Sequence, residues 1–332
     1  MNLLPFLRTL RDYLFFVCLF LWGMGRVMGD RNGWLALVNA LSGWLGLGWQ
    51  GLGGWALAER HPALGMGYGL GWMAAAVRAR PSRDRAEPGA GRPLRILSLN
   101  LRNQPRPLQE AARTLLATDA DLLLFQEAIP SHAAQLQKDL ADYPHHCWVP
   151  YPATNMGLGV VSRHPFAVTG LWDRPGLEPF ALRITLVVAN QPLDVYCVHF
   201  ISPTHQVRRL GLTRLLRARE AQVRTVMDEV TARSMPAVVA GDWNQTPAAD
   251  AFQRATALLT DAWAEAGRGP GWSWPAVGPL PLLRLDHLLH TGARRGAPLT
   301  ATRAELIYDG FGSDHAGLLV EIGKAEIGSV GD

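Results

Sequence analysis

The chain opens with long apolar stretches and then changes rhythm. No Asp, Glu, Lys or Arg occurs in Tyr13–Gly25, Gly33–Ala58 or Pro62–Val77. A helix needs roughly 20 apolar residues to cross a bilayer. Gly33–Ala58 meets that length. Pro62–Val77 is short, at about 24 Å if fully helical. Tyr13–Gly25 is shorter still and is followed by Arg26. Residues 1–80 are therefore expected to anchor the chain in a membrane through two or three apolar helices, whose glycines permit close packing in lipid. The apolar segments continue long after the first, which argues against a cleavable signal peptide.

Residues 81–92, with Pro81, Pro88, Gly89 and Gly91, read as a polar linker. From residue 93 to 323 short apolar runs alternate with helical periodicity, and 324–332 is a tail. Strands are expected at Leu94–Leu99 (reaching Asn100), Asp121–Phe125, Gly157–Ser162, Ala237–Val239, Leu285–Leu289 and Leu318–Ile322. Ala181–Ala189 and Leu193–Phe200 resemble a hairpin turning at Asn190-Gln191-Pro192. Helices are expected at Leu108–Ala117, Ser131–Leu140, Thr204–Ala232 and from Ala248 to about Leu259. Tyr143–Asn155 and Gly267–Pro281 read as loops.

Composition adds two constraints. Of the 12 Trp, half lie before residue 80, and Trp at the ends of apolar runs suits a membrane interface. Arg8 and Arg11 before the first run, and Arg78, Arg80, Arg83 and Arg85 after the last, both favour the cytoplasmic side. Three runs with both ends on one side do not agree, so topology and the side of the catalytic domain stay open. The formal net charge is +4, and Lys138 and Lys324 are the two lysines. Arginine abundance therefore reflects residue choice more simply than phosphate recognition. Arg208, Arg209, Arg214, Arg217, Arg219 and Arg224 are read as the solvated face of a helix. The three cysteines, Cys18, Cys147 and Cys197, show neither metal-ligand spacing nor a disulfide framework.

The chemistry gathers at strand ends. After Ala237–Val239 comes Ala240-Gly241-Asp242-Trp243-Asn244-Gln245-Thr246-Pro247. Asp242 can accept a proton or hold a water, and Asn244 offers a donor and an acceptor to an oxyanion. Gly241 allows close backbone approach or an unusual dihedral. Asn100, Glu127, His199, Asp286 with His287, and Asp314 with His315 also lie at or beside strand ends. Together they suggest one edge of a sheet sandwich collecting polar groups. Several buried carboxylates repel one another unless a cation joins them, and oxygen ligands favour Mg2+, Mn2+ or Ca2+ over zinc.

These motifs resemble those of the endonuclease/exonuclease/phosphatase superfamily. The matching stretches are Ser98-Leu99-Asn100, Phe125-Gln126-Glu127, Val198-His199, Gly241-Asp242-Trp243-Asn244, Arg284-Leu285-Asp286-His287 and Gly312-Ser313-Asp314-His315. They cover about residues 93–322, and residues 1–80 resemble the membrane anchors of some bacterial members. The resemblance implies a deoxyribonuclease I-like fold, a two-sheet α/β sandwich, here preceded by the transmembrane helical region. It implies a metal-dependent phosphoric ester hydrolase. Glu127 would be the principal metal ligand, with Asn100 in or near the metal shell and Asp314 a second carboxylate near it. Asp242 would orient or deprotonate the attacking water, Asn244 orient the phosphate and His199 contact it. His315 would be the catalytic histidine and Asp286 the carboxylate orienting it. His287 stands outside this set.

The substrate is set by loops. Aromatics in Tyr143–Asn155 (Trp148, Tyr151) and Gly267–Pro281 (Trp272, Trp274) could stack on bases, meet lipid or pack beneath the loops. The first expectation is a membrane-anchored phosphodiesterase or phosphatase acting on a lipid head group or small phosphoester. The alternatives are a membrane-tethered nuclease acting on DNA or RNA, and a noncatalytic membrane scaffold.

Overall fold

The computed structural model describes residues 3–59 and 92–324 apart from 104–106, 152–155, 174–178, 189, 203–210, 276–280 and 293–298. Two compact units are formed, Met1–Arg83 with Pro247–Gln253, and Asp84–Thr246 with Arg254–Asp332.

In the first unit, helices α1 (Leu3–Met28), α2 (Gly33–Ala40) and α3 (Ser42–Ala58) follow one another. Phe15, Trp49 and Ala56 form its small core, with Trp22 and Leu52 against it. Arg11 is buried and pairs with Asp12 at 2.6 Å and Glu59 at 2.5 Å. The expected spanning helices are corrected here. Among the described residues no helix is long and apolar enough to cross a membrane. The Gly33–Ala58 run breaks at Leu41 into pieces of 8 and 17 residues, and the longer is about 25 Å, short of a roughly 30 Å hydrocarbon core. Asn32 caps the start of α2 by accepting the Leu35 N–H at 3.0 Å, and at Leu41 the backbone leaves helical dihedrals, at φ −87° and ψ 2°. In α1 the charges of Arg8, Arg11, Asp12 and Arg26 restrict the uncharged stretch to Tyr13–Gly25. The Pro62–Val77 run, the 81–92 linker apart from Arg92 and the 324–332 tail beyond Lys324 lie outside the described residues. One side of α1 is apolar and open: Phe6, Tyr13, Phe20 and Val27, seven residues apart, are each more than 60% exposed. That is the spacing of one helix face.

The second unit is the expected two-sheet sandwich. Its strands are β1 (Leu94–Asn100), β2 (Leu122–Gln126), β3 (His145–Val149), β4 (Leu158–Ser162), β5 (Phe166–Trp172), β6 (Ala181–Val188), β7 (Gln191–His199), β8 (Ala237–Asp242), β9 (Thr260–Asp261), β10 (Asp286–His290), β11 (Leu299–Ile307) and β12 (Gly317–Lys324). One sheet has the order β11-β12-β1-β2-β4-β3 and the other β5-β6-β7-β8-β10-β9. β1 and β2 are parallel, as are β7 and β8; the other neighbours are antiparallel.

Alternation decides which side chains meet. On β1, Leu94 and Ile96 face the opposite sheet, where Ile184, Val195, Cys197, Val238, Ala240 and Leu288 join them in the central core. Leu97 and Leu99 face outward, onto Leu115 of α4 (Gln109–Ala117) and Leu136 of α5 (Pro130–Asp139). Continuing the inward series two residues at a time leads to Ser98 and Asn100 on β1, His199 on β7 and Asp242 on β8. The polar site is thus the far end of the sandwich core.

Several boundaries differ from the sequence reading. His145–Val149, expected as loop, is an edge strand pairing with β4; Trp148 stacks on Phe125 with ring centroids 5.5 Å apart, so it is a packing residue. The β6–β7 hairpin turns earlier than expected. Val188 pairs with Gln191 and Val187 with Pro192, and Asn190 takes the left-handed φ of 61°. Strands β5 and β11 had gone unread. The helix expected from Thr204 is described from Leu212 to Ala232 (α6). The helix expected from Ala248 is α7 (Asp250–Thr256), and a short α8 (Ala262–Ala266) follows β9.

Candidate active site

Register places three of the side chains in a row. His199 on β7 pairs with Asp242 on β8, which pairs with Asp286 on β10. In the other sheet Asn100 pairs with Gln126, and Glu127 follows with a φ of 53°, which turns it out of the strand. Gly241 is required locally. Its φ is 151°, and a Cβ there would collide with the Val198 carbonyl of the neighbouring strand.

The side chains are buried and converge. Asn100 donates from Nδ2 to Glu127 Oε1 at 2.9 Å and to Asp242 Oδ2 at 3.0 Å. Its Oδ1 accepts from the Arg102 N–H at 2.8 Å. Glu127 Oε2 accepts from the Asn103 N–H at 2.9 Å. Asp242 Oδ1 accepts from the Asn244 N–H at 2.8 Å, and Oδ2 accepts from Asn244 Nδ2 at 3.2 Å. The same amide donates to the Phe200 carbonyl at 2.9 Å. His199 Nε2 lies 3.8 Å from both Glu127 Oε1 and Asp242 Oδ2, yet among the described residues neither of its ring nitrogens has a hydrogen-bond partner. His315 Nδ1 sits 2.9 Å from Asp286 Oδ2, and its Nε2 is 3.8 Å from Asp242 Oδ2.

Burial pushes the Asp242 carboxyl above its ordinary range; His315 and His199 oppose this, and Asp286 adds to it. Burial acts the same way on Glu127, but the His199 charge, Asn100 and the Asn103 N–H outweigh it and hold Glu127 low. Burial disfavours charge on His315, yet Asp286 and Asp242 raise it to about 10. His287, left out of the set, is buried among other groups: its Nε2 is 2.9 Å from the Gln245 carbonyl, and burial pushes it down to about 3.

The expected metal ligands are only partly assembled. Glu127, His199 and Asp242 place ligand atoms within 4.8 Å of one another, as do Asp242, Asp286 and His315. Asp314 joins neither group among the described residues; it accepts from Trp274 Nε1 at 3.3 Å. Asn100 lies between Glu127 and Asp242. Adjacent buried carboxylates, together with an unpartnered imidazole, fit a divalent cation.

Two further residues shape the site. Ser273 Oγ donates to Asp286 Oδ2 at 2.5 Å and accepts from the Leu285 and Asp286 N–H groups, each at 3.1 Å. Its sequence setting, Gly271-Trp272-Ser273-Trp274 in a Gly- and Pro-rich loop, carried no signal. Arg219, expected on a solvated face, is buried and donates from Nη1 to the Asn244 carbonyl. It sits four residues from both Leu215 and Val223 on the buried side of α6; that periodicity was the readable signal. Arg214, Arg217 and Arg224 are exposed as expected, and Arg208 and Arg209 lie outside the described residues.

Fold and site define a two-sheet α/β sandwich with carboxylates and imidazoles meeting at one end of its core. The profile of the Endonuclease/Exonuclease/phosphatase family matches residues 97–315, and the chain belongs to that family. Its members hydrolyse phosphoesters and generally use divalent metals. Similar solved structures include a humanized D. rerio TDP2 carrying 14 mutations, at 21% identity and TM-score 0.56, covering 69% of this chain and 98% of that one. A family protein from Beutenbergia cavernae DSM 12333 aligns at 23% identity and TM-score 0.54, covering 71% and 72%. Another from Bacteroides vulgatus aligns at 16% and 0.57, covering 70% and 98%. None of the curated proteins compared with the chain matches it.

Proposed function

We propose that this protein is a divalent-metal-dependent phosphodiesterase. The observation that carries the reading is the convergence of Glu127, His199, Asp242 and His315 within hydrogen-bond or near-contact distance at the end of the core. Glu127, with Asn100 beside it and Asp242 close by, would hold a Mg2+, Mn2+ or Ca2+ ion. When bound, the ion supplies positive charge for the phosphate oxygens.

The chain's own residues divide the remaining work. Asp242 takes a proton from water as the water oxygen forms its bond to phosphorus, a role suited to a carboxyl whose proton affinity burial has raised. His315, held protonated by Asp286, stabilises the phosphate charge. The bond to the leaving oxygen then breaks, that oxygen takes the proton of His315, and the proton that Asp242 took from water returns to His315, 3.8 Å away. His199, whose ring nitrogens have no hydrogen-bond partner among the described residues, is available to a nonbridging oxygen. Asn244 spends both amide hydrogens on Asp242 and Phe200, so it positions the base and does not donate to the phosphate, the role expected from the sequence. Asp314 completes the electrostatic field beside His315.

Two substrate sources share this chemistry. A lipid head group is favoured by the exposed apolar side of α1, which would lie against a bilayer and keep the enzyme membrane-associated. A polynucleotide is favoured by the solved D. rerio TDP2 complex with a single-strand DNA product, at 21% identity. The test is hydrolysis by the full chain, with and without Mg2+, of a chromogenic bis-phosphodiester, single-stranded DNA and sphingomyelin vesicles. Asp242→Asn runs alongside. Magnesium-dependent release that vanishes in the variant supports the reading. Release that survives in Asp242→Asn, or the absence of release from all three substrates, overturns it.

A further inference from the structure

The loop that carries Ser273 has a second face. Trp272, its neighbour, lines a cleft of about 700 Å3 together with Trp263, Arg268 and Tyr308. Both walls run directly into the site. Tyr308 Oη donates to the Trp272 carbonyl at 3.0 Å. Two residues beyond Trp272, the Trp274 ring lies 6.3 Å from the His315 ring. The Ser273 carbonyl between them accepts from the Ala316 N–H at 2.9 Å. Tyr308 itself is six residues before Asp314 in the chain.

The lining is aromatic and cationic in balance. Gly271, at φ 69°, lets the loop backbone lie against the Trp263 indole, where a Cβ would collide. Trp263 Nε1 donates to the Gly269 carbonyl at 3.0 Å, which fixes the ring. Tyr308 is half exposed. The cleft's two carboxylates are already paired: Glu305 with Arg303 at 2.6 Å, and Glu321 with Arg95 at 3.6 Å and Arg303 at 3.7 Å. Arg268 is exposed and has no carboxylate partner among the described residues. Flat π-faces beside one uncompensated guanidinium match a ring carrying a phosphate. A nucleobase stacks on such faces whatever its identity, and its phosphate meets the cation. A phospholipid would bring a phosphate for Arg268 but no flat ring to stack on the indoles.

We propose that this cleft binds a nucleotide of a single-stranded polynucleotide, displaced along the strand from the scissile phosphate. The proposal rests on the phosphodiesterase reading and narrows its substrate class. The cleft contributes affinity for long strands and nothing to the reacting phosphate.

The test uses the full chain and a fluorescein-labelled single-stranded DNA ten-mer, with binding read by anisotropy. Trp272→Ala and Tyr308→Ala are expected to raise the dissociation constant about tenfold each. Tyr308→Phe, which keeps the ring but loses the bond to Trp272, stays close to wild type. Arg268→Glu, an exposed change that leaves the rings intact, weakens binding with a reduced salt dependence. Turnover of the chromogenic bis-phosphodiester is unchanged in all four. Unaltered ten-mer affinity in Trp272→Ala, Tyr308→Ala and Arg268→Glu overturns the proposal. So does an equal loss of ester turnover, which marks a structural role. Loss of binding to phospholipid vesicles with the ten-mer unaffected assigns the cleft to lipid and overturns it as well. If the wild type fails to hydrolyse the ester, the phosphodiesterase reading falls, while the affinity series still decides what the cleft holds.

Discussion

Asp286 and His315 meet through one oxygen: Oδ2 of the carboxylate lies 2.9 Å from Nδ1 of the imidazole. The two residues are 29 positions apart in the chain and both are buried. The same oxygen accepts the Ser273 hydroxyl at 2.5 Å, so the orientation of His315 depends on two neighbours. A carboxylate at Nδ1 fixes the tautomer and favours the imidazolium. Asp286→Asn is expected to lower kcat on the bis-phosphodiester by about 10²–10⁴-fold, the range for losing a positioned acid–base group. Ser273→Ala is expected to cost less, with Ser273→Thr restoring activity. Steady-state kinetics at fixed Mg2+ checks all three.

The same pair makes stability depend on alkaline pH. His315 is raised from 6.5 to about 10. Above about 6.5 the unfolded chain releases this proton while the native state keeps it. The stabilisation is therefore complete below pH 6.5 and is lost as pH rises through 10. Urea denaturation in metal-free buffer should show wild type losing stability across this window, and His315→Gln should lose less.

His287 has the opposite sign. Burial lowers it to about 3, so between about pH 6.5 and 3 the unfolded imidazole binds a proton that the native one does not. Its contribution is present above pH 6.5 and disappears on acidification. In a nuclear magnetic resonance titration the His287 ring should remain neutral at pH 5; a midpoint near 6.5 would contradict this.

Cation binding should be visible without turnover. An ion bound to the native state alone stabilises by about 2.7 kcal/mol at a hundredfold excess over its dissociation constant. Mg2+ is expected to raise the melting temperature of wild type. Glu127→Gln should abolish most of that rise and also lower the metal-free melting temperature, because, against the cost of burial, the His199 charge, Asn100 and the Asn103 N–H favour the ionised carboxylate in the fold. An undiminished rise in the variant would remove Glu127 from the metal site.

Arg219 supports Asn244 from behind, through its backbone carbonyl. Asn244 has a φ of 51°, in the left-handed region that asparagine enters more readily than most other non-glycine residues, and Arg219 helps hold it there. Arg219→Met is expected to cost about 1.5–3 kcal/mol of stability, the range for a hydrogen bond to a charged group, and to lower kcat with it. Denaturation and kinetics on the same preparation test both effects.

The candidate site was legible because strand chemistry is local. A run of apolar residues that ends in Asn100, Glu127, His199 or Asp242 announces itself in any single segment, and motif order tied the segments together. What no segment contains is its partner across the sheet. Only the tertiary register set His199 beside Asp242 and Asp242 beside Asp286, and only packing placed Ser273 on the Asp286 oxygen or gave the Asp314 carboxylate to Trp274. Edge strands such as His145–Val149 escaped because they bury little, so hydrophobic alternation marks them weakly. The N-terminal stretch shows the same limit from the other side. Its lack of charge was written in the sequence from Gly33 to Ala58, but the length forms two helices because the backbone at Leu41 leaves helical dihedrals (φ −87°, ψ 2°), which a hydropathy count does not register.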